Sequence, residues 1–325
     1  MQNLKTQYLG LELKNPIIVG SSGLTDNIQD IKKIEKAGAG AVVLKSIFEE
    51  QIKKEINSLQ KGTHPEEKAY LSGYIEEHDL EEYSGLINNA KQKTDLPIIA
   101  SINCNTATEW THFIEKIDRA GADAIELNIF IMPLDKNKTS SQIEARIFEI
   151  VKKATSHTDK PVSLKISYHF SSLSNVIYKL SQYDISGLVL FNRFYTPDID
   201  IENLEMCSGN TLSKPFQIFQ SLRWIGMLSN RIECDFAAST GVHDGEGAVK
   251  CLLAGANVVQ VVSTLYQNGI NYIENILEDL KIWMHKKNYT YISDFQGKLN
   301  QSHIDDPELY ERSQFLKYFA EEDIE

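Results

Sequence analysis

The 325-residue sequence predicts an α/β fold, a closed (β/α)8 TIM barrel, on three observations. Short, almost uninterrupted apolar runs recur along the chain, as they do in parallel strands that are covered on both faces. Helical patterns, with apolar residues every three or four positions, separate these runs. The phrase Ala-Gly-Ala stands at 37–39, 120–122 and 254–256, each time just before an apolar run. A glycine at its centre can end a helix in the left-handed conformation.

Eight apolar runs are predicted as the barrel strands, with helices between them. A doubly wound open sheet would need a GxGxxG fingerprint after its first strand, and GSSGLTDN at 20–27 lacks it. Two helices are marked most clearly: 108–119, which follows a capping box at 106–109, and 271–284. The predicted strands are PIIVGSS (16–22), AVVLKS (41–46), PIIASIN (97–103), AIELN (124–128), PVSLKIS (161–167), GLVLFN (187–192), ECDFAAS (233–239) and VVQVVST (258–264).

Three segments lie outside this repeat. Residues 4–16, LKTQYLGLELKNP, alternate around a glycine and suit a small β-hairpin that caps the bottom of the barrel. Residues 193–213 form a long insertion between strand 6 and its helix, and long βα loops belong to the active-site face. Residues 286–325 are expected to form a C-terminal helical extension. Because no linker marks a second domain, residues 1–325 are predicted to form a single domain.

Charge and cysteine content exclude several classes of protein. With 33 basic and 45 acidic side chains, the net charge of -12 repels phosphate backbones and anionic lipid, so neither nucleic acid nor a membrane is the expected partner. Cys104, Cys207, Cys234 and Cys251 lie far apart, with no CxxC motif and no histidine cluster. This spacing argues against a metal site or a disulfide framework and favours the cytoplasm. Residues 1–16 are too polar for a signal peptide or a membrane anchor.

Candidate site residues follow from the fold, because the carboxyl ends of the strands carry the chemistry of such barrels. The predicted strand ends present mainly neutral hydrogen-bonding groups, which indicates a ligand rich in carbonyls and amides, such as a flavin ring. The alternative is that strand ends are polar simply because they meet water. The candidates are Ser21, Ser22, Lys45, Ser46, Asn103, Asn128, Lys165, Asn192, Ser239, Thr240, Ser263 and Thr264.

Lys165 differs from the other candidates because it lies inside an apolar run, SLKIS (163–167). Burying an ammonium is costly unless an anion or another acceptor compensates it. Beside the pyrimidine edge of a flavin, such a lysine would stabilise the negative charge of the reduced ring. At strands 7 and 8, Ser239, Thr240, Gly241, Ser263 and Thr264 gather small residues where barrels of this class bind phosphate. Together these signals point to flavin mononucleotide (FMN).

From about residue 4 to 285 the sequence resembles the soluble class of the dihydroorotate dehydrogenase family. The resemblance lies in NPIIVGSSG, GAVVLKS, IELN, PVSLKI, LFN and STGVHDGEGAVKCLLAGANVVQVVSTLYQNG, taken in this order. It implies FMN as cofactor, hydride transfer from dihydroorotate to flavin N5, a place in pyrimidine biosynthesis, and a homodimer. It also implies that Lys45 and Ser46 act as a pair, that Gly209 belongs to the cofactor-binding residues, and that Asn128 and Asn192 hold the substrate.

The sequence departs from the family pattern at three places. The family's general base is a cysteine or serine after the strand-4 asparagine, whereas here the corresponding segment IFIMP (129–133), one residue longer, places Met132 there. The family's substrate-binding asparagine after strand 2 has no clear counterpart. Arg193 follows Asn192 where the family has a small hydroxyl residue. Arg193 either forms a surface salt bridge or receives a substrate carboxylate.

Three hypotheses account for the missing base. Another residue serves, with Cys104, Thr139 and Ser140 as the candidates. Alternatively, the chain is a flavin oxidoreductase for a related unsaturated ring or carbonyl compound whose chemistry needs no such base. The third hypothesis is a flavin-binding barrel with little dehydrogenase activity. In each case the predicted ligands are FMN and a small molecule.

Overall fold

The computed structural model of this protein describes residues 2–48, 65–103 and 110–312. Its strands, in chain order, are β1 (Thr6–Tyr8), β2 (Leu11–Leu13), β3 (Ile17–Val19), β4 (Ala41–Val43), β5 (Ile47–Phe48), β6 (Ile98–Asn103), β7 (Ala124–Asn128), β8 (Val162–Ile166), β9 (Gly187–Leu190), β10 (Pro197–Asp200), β11 (Glu205–Ser208), β12 (Asp235–Ser239) and β13 (Val258–Val261).

The α-helices of the described residues are α1 (Ile28–Lys36), α2 (Pro65–Lys93), α3 (Trp110–Ala120), α4 (Ser140–Thr155), α5 (Leu173–Leu180), α6 (Ile218–Leu228), α7 (Gly245–Ala254), α8 (Ser263–Asn268), α9 (Tyr272–Lys286) and α10 (Glu308–Glu311). Short 3-10 helices lie at Gly23–Thr25, Pro215–Gln217 and Ile292–Asp294. None of the helices in these ranges combines the length and the apolar character that crossing a membrane requires.

A closed ring of eight parallel strands confirms the predicted (β/α)8 TIM barrel. The strands pair in the order β4, β3, β13, β12, β9, β8, β7, β6, and β6 pairs with β4 to close the ring. Five of the barrel strands (β3, β4, β8, β9 and β13) stop before the polar end of their apolar run, whereas β6, β7 and β12 extend to Asn103, Asn128 and Ser239. The eighth run divides between β13 and α8, which begins at Ser263.

The N-terminal hairpin closes the bottom of the barrel, as predicted. β1 and β2 pair antiparallel around a turn at Leu9 and Gly10. Tyr8, Leu9 and Leu13 are buried against the lower layer of the barrel interior, and the Leu9 amide donates to Asp235 Oδ2 at 2.7 Å. That layer consists of Ile18, Ala41, Val43, Ile99, Ala124, Val189, Ala237 and Val258. The lower half of the barrel is therefore filled with apolar side chains.

The helices pack on the outside of the barrel through one apolar face each. α9 buries Ile273, Ile276, Leu280 and Met284 at the spacing from which the sequence predicted a helix over 271–284. The predicted helix over 108–119 corresponds to α3, while its capping box lies outside the described residues. Burial of these faces drives the packing of the outer layer.

The Ala-Gly-Ala phrases end helices as the sequence predicted. Gly38, Gly121 and Gly255 have φ angles of 93°, 88° and 116°, in the left-handed region that a glycine adopts without a steric penalty. Each of them precedes a barrel strand. The repeated phrase thus marks the return from an outer helix to the barrel.

The two remaining segments extend opposite ends of the fold. The predicted insertion forms an antiparallel hairpin of β10 and β11 above the C-terminal face. In the C-terminal tail, Ile292 and Phe295 pack with Leu4, Leu252 and Leu280, and the tail pairs with the chain start through an Asn3–Tyr291 bridge. The last described helix of the tail is α10, and residues 313–325 lie outside the described range.

Gly40→Ala is expected to destabilise the protein by about 1–3 kcal/mol, because a Cβ at this position would lie 2.1 Å from the backbone oxygen of Asn15. Gly85→Ala in α2 is the control, since a Cβ there meets no atom within 4 Å. The control should stabilise the helix by about 0.5–1 kcal/mol. Urea unfolding measures both free energies, and equal values for the two variants would contradict the packing at Gly40.

Candidate cofactor and active site

A cavity of about 780 Å³, including its opening to solvent, lies at the C-terminal face of the barrel. We call it the mouth cavity. It brings together candidates from five strand ends that are far apart in the sequence, as the fold predicts. Its walls include Ser21, Lys165, Asn192, Arg193, Ser239, Thr240, Gly241, Gln260 and Ser263.

Lys165 lies on the inner face of β8, and its side chain is only 10% exposed. Its Nζ donates to Gln260 Oε1 at 2.9 Å and lies 3.6 Å from Glu126 Oε1. Gln260 Nε2 donates in turn to Glu126 Oε2 at 2.6 Å. The anion that compensates the buried ammonium is therefore Glu126, which the sequence analysis missed. The signal was present, because Glu126 is also a charged residue inside an apolar strand.

Asn128 stands beside Lys165 in the strand register, and its side chain meets that of Asn192, which lines the mouth cavity from the end of β9. Asn192 Nδ2 donates to Asn128 Oδ1 at 2.8 Å. The mutual hydrogen bond fixes the orientation of both amides. It leaves one amide with a donor and the other with an acceptor to offer to a ligand. A ring that carries an N–H beside a C=O complements this pair.

Hydroxyl groups connect the ends of β3, β4 and β6. Ser46 Oγ lies 3.1 Å from Ser21 Oγ and 2.7 Å from Ser101 Oγ. Tyr83 OH donates to the backbone oxygen of Ser101 at 3.1 Å. Ser46 is buried, so this chain supports the wall of the site from behind, and Ser21 is its member that reaches the mouth cavity.

Near β3, β4 and β6, the other candidates either lie at the edge of the site or hydrogen-bond to backbone groups. Lys45 is half exposed, with its Nζ 3.5 Å from Asp26 Oδ2. The Ser22 side chain accepts from the Leu24 amide and thereby caps a 3-10 turn. Asn103 is half-buried at the end of β6, next to the undescribed residues 104–109.

The predicted phosphate end is assembled from β12, β13 and the insertion. Ser239, Gly241 and Ser263 line the mouth cavity, whereas Thr264 is fully buried and donates to the backbone oxygen of His243. The φ angle of Gly241 is 86°, and a Cβ on it would lie 2.2 Å from the Ile218 nitrogen at the start of α6. Glycine is thus required for this loop to pack against the helix. Thr264 supports the loop rather than facing the cavity.

Arg193 is engaged by backbone oxygens of the insertion. Its guanidinium donates to the carbonyls of Asn210 and Thr211 and so ties the two ends of the insertion together. Burial lowers the pKa of this guanidinium from its ordinary value. The expectation of a surface salt bridge is therefore wrong for this structure. Gly209 lies beside this contact, where its amide donates to the Thr196 carbonyl at 2.8 Å, outside the residues that line the mouth cavity.

His243 is a buried support of the same region. Its Nε2 lies 3.0 Å from Ser213 Oγ, and the Ser213 amide donates to Ser263 Oγ at 2.9 Å. Burial lowers the pKa of the His243 imidazole, although its hydrogen bond with Ser213 and the charge of Asp244 act in the opposite direction. Through its contacts with Ser213 and Thr264, His243 braces the insertion against α8.

None of the candidate bases that the structure describes lies on the wall of the mouth cavity. Thr139 caps α4 through its hydroxyl, and Ser140 Oγ lies 3.3 Å from Ser171 Oγ. Cys104 lies outside the described residues. Met132, in the loop after β7, is 55% exposed and has no group that accepts a proton.

A second cavity of about 1160 Å³ adjoins the mouth cavity and shares Asn192, Arg193 and Thr240 with it. We call it the aromatic cavity, since six of its lining residues are Tyr168, Phe191, Phe194, Tyr195, Phe216 and Phe219. The Phe194 ring contacts Phe130 from the loop after β7 at 4.1 Å between ring centroids. The sequence analysis missed this cluster, because its members come from separate loops.

Comparison with known proteins connects this geometry with one family. The family model described as Dihydroorotate dehydrogenase matches residues 3–284. A protein of Pyrococcus abyssi named dihydroorotate dehydrogenase B (NAD(+)), catalytic subunit, is 27% identical over 310 residues, which cover 90% of this chain and 98% of that protein. Proteins of the same name from Pyrococcus furiosus and Thermoplasma volcanium are 24% and 26% identical, and each comparison covers 91% of this chain and 98% of the relative.

Proposed function

The chain belongs to the dihydroorotate dehydrogenase family, and on that premise we propose that it is an FMN-dependent oxidoreductase that converts dihydroorotate to orotate in pyrimidine biosynthesis. The observation that carries the proposal is that a buried ammonium, Lys165, and the Asn192 amide line one cavity, with Asn128 hydrogen-bonded to Asn192. The family match favours this reaction over another ring substrate and over a barrel without turnover.

The mouth cavity fits FMN in the chemistry of its walls. At one side Lys165 offers a cation to ring carbonyls and nitrogens, and at the other Ser239, Gly241 and Ser263 present small residues to a phosphate. FMN, when bound, supplies the two-electron acceptor that takes a hydride from the substrate.

The chain's own residues would hold the substrate and direct its reaction. Asn128 and Asn192 match the N–H and C=O groups of a dihydropyrimidine ring, so they orient it over the cofactor. As the hydride leaves, a base must accept a proton from the neighbouring carbon, and we keep Cys104, Thr139 and Ser140 as the candidates.

We propose that the protein works in the cytoplasm. The described cysteines support this compartment, because Cys207, Cys234 and Cys251 are all unpaired. Burial raises the pKa of the Cys234 and Cys251 thiols to about 12, so neither of these thiols is reactive at neutral pH.

We also propose that two copies of the chain associate through the hairpin of β10 and β11. Ile199 and Met206 stand opposite each other in the hairpin's register, and they are 61% and 68% exposed. Ile201 and Leu204 at the tip are exposed as well. A contiguous apolar patch of this kind is typical of an interface rather than of a solvated surface.

Lys165→Ala is expected to weaken FMN binding at least tenfold, about 1.4 kcal/mol, because the cation beside the ring is lost. Titration of the apoprotein with FMN, followed by flavin fluorescence, measures the dissociation constant. Lys152→Ala on the exposed face of α4 is the control and should bind FMN like the wild type. An unchanged dissociation constant in the Lys165 variant would contradict the proposed position of FMN beside Lys165.

Dihydroorotate, added without oxygen to the FMN-loaded protein, is expected to bleach the flavin absorbance. Met132→Cys should accelerate the bleaching, since a thiol at this position restores the family's base. Leu134→Cys, on the same loop and 83% exposed, is the matched control and should leave the rate unchanged. If neither the wild type nor Met132→Cys bleaches while another donor reduces the flavin, dihydroorotate is not the substrate.

The double change Ile199→Lys and Met206→Lys is expected to convert the dimer to a monomer, since charges replace the apolar patch. Light scattering after size-exclusion chromatography gives the molar mass. Ile282→Lys in α9, an equally exposed isoleucine away from the hairpin, should leave the mass unchanged. A wild-type monomer, or a dimer that survives the double change, would contradict the proposed interface.

A further inference from the structure

A buried carboxylate lies directly below the lysine of the mouth cavity. Glu126 is 1% exposed, and it does not belong to the wall of the mouth cavity, whereas Lys165 and Gln260 do. It reaches Lys165 both directly, over 3.6 Å, and through the Gln260 amide. Any influence of Glu126 on a ligand in the cavity therefore passes through these two side chains.

The Gln260 amide can adopt only one orientation in this network. Its oxygen accepts from the Lys165 ammonium and its nitrogen donates to the Glu126 carboxylate, so a rotated amide would set like partners against each other at both ends. Gly20 leaves the room for it, since a Cβ there would lie 3.3 Å from Gln260 Oε1. The lysine is thus held by a fixed acceptor as well as by a charge.

A stability role alone does not account for this arrangement. A buried ion pair is often no more stabilising than apolar residues of the same volume, and Glu126 Oε1 accepts no hydrogen bond from the described residues. The layer of the barrel just below is apolar. Burial of the network of Glu126, Gln260 and Lys165 costs desolvation free energy, and its result is a cation held at the mouth of the barrel.

We propose that Glu126 and Gln260 are positioning residues that hold the Lys165 ammonium at the floor of the mouth cavity, directed at the cofactor ring. The proposal rests on the proposed function, since the ligand that it concerns is FMN. Glu126 keeps the ammonium in the barrel by its charge, and Gln260 sets the direction of Nζ. Without the carboxylate, the flexible lysine side chain is free to turn to water.

The test is a double-mutant cycle on FMN affinity, measured with apoprotein by flavin fluorescence. Glu126→Gln should weaken FMN binding about fivefold while Lys165 is present, and should have no effect in the Lys165→Met background. The exchange of Glu126→Gln together with Gln260→Glu returns a carboxylate to the ammonium and should restore affinity to within about twofold. An equal loss in both backgrounds, or no loss with Lys165 present, would overturn the positioning role.

Two further outcomes separate this inference from the proposed function. If the wild-type apoprotein binds no FMN, the proposed function fails, and a crystal structure of the Glu126→Gln apoprotein decides the inference. Loss of the Lys165–Gln260 hydrogen bond there supports it, and an unmoved Nζ refutes it. If Glu126→Gln does not fold, the exchange variant decides instead: a folded protein with near wild-type FMN affinity supports the inference, and weak binding refutes it.

Discussion

The ion pair of Lys165 and Glu126 inside the barrel is the constraint on which the rest of the structure depends. Lys165 and Glu126 point inward from the neighbouring strands β8 and β7, and Gln260 completes the network from β13. An ammonium and a carboxylate taken out of water need compensation by charge and by hydrogen bonds, and here Gln260 bridges the two groups while Glu126 Oε1 faces the ammonium at 3.6 Å. The closed ring of strands supplies the walls, and the hairpin of β1 and β2 seals the bottom with apolar side chains. The network is therefore open in one direction, toward the mouth.

The two ends of the barrel consequently differ in character. Below the charge pair the interior is apolar and filled, so that end contributes stability and no chemistry. At the mouth stand Asn192, hydrogen-bonded to Asn128, and the small residues Ser239 and Gly241. A ligand at the mouth meets a cation from the floor, amides at its side and backbone with small side chains at the far end. This order of groups corresponds to the order of ring and phosphate in FMN.

The sequence predicts the barrel well because its signals are local. Apolar runs, amphipathic helices and the glycines at 38, 121 and 255 each act within a few residues. The site is only partly predictable, because its contacts join distant strands. Glu126 and Gln260 are 134 residues apart and meet only through the register of the closed ring. The contact of Arg193 is equally hard to predict, because the insertion must fold back to bring the carbonyls of Asn210 and Thr211 to the guanidinium. Thr264 also looked like a strand end, but α8 begins one residue earlier and buries it.

The departures from the family pattern lie in loops, and this location limits what they can change. Met132 and Arg193 follow the strands, whereas Lys165 and Asn128 are carried by strands that the ring holds rigidly. Groups on strands keep their positions when a neighbouring loop is rebuilt. On the roles proposed above, these rigid groups would serve the cofactor and the ring of the substrate. Phe130 of the loop after β7 packs on Phe194 of the loop after β9, so the two altered loops are in direct contact. On the roles proposed above, divergence in this chain falls on loops beside the mouth, while Lys165 and Asn128 stay on the rigid strands of the barrel.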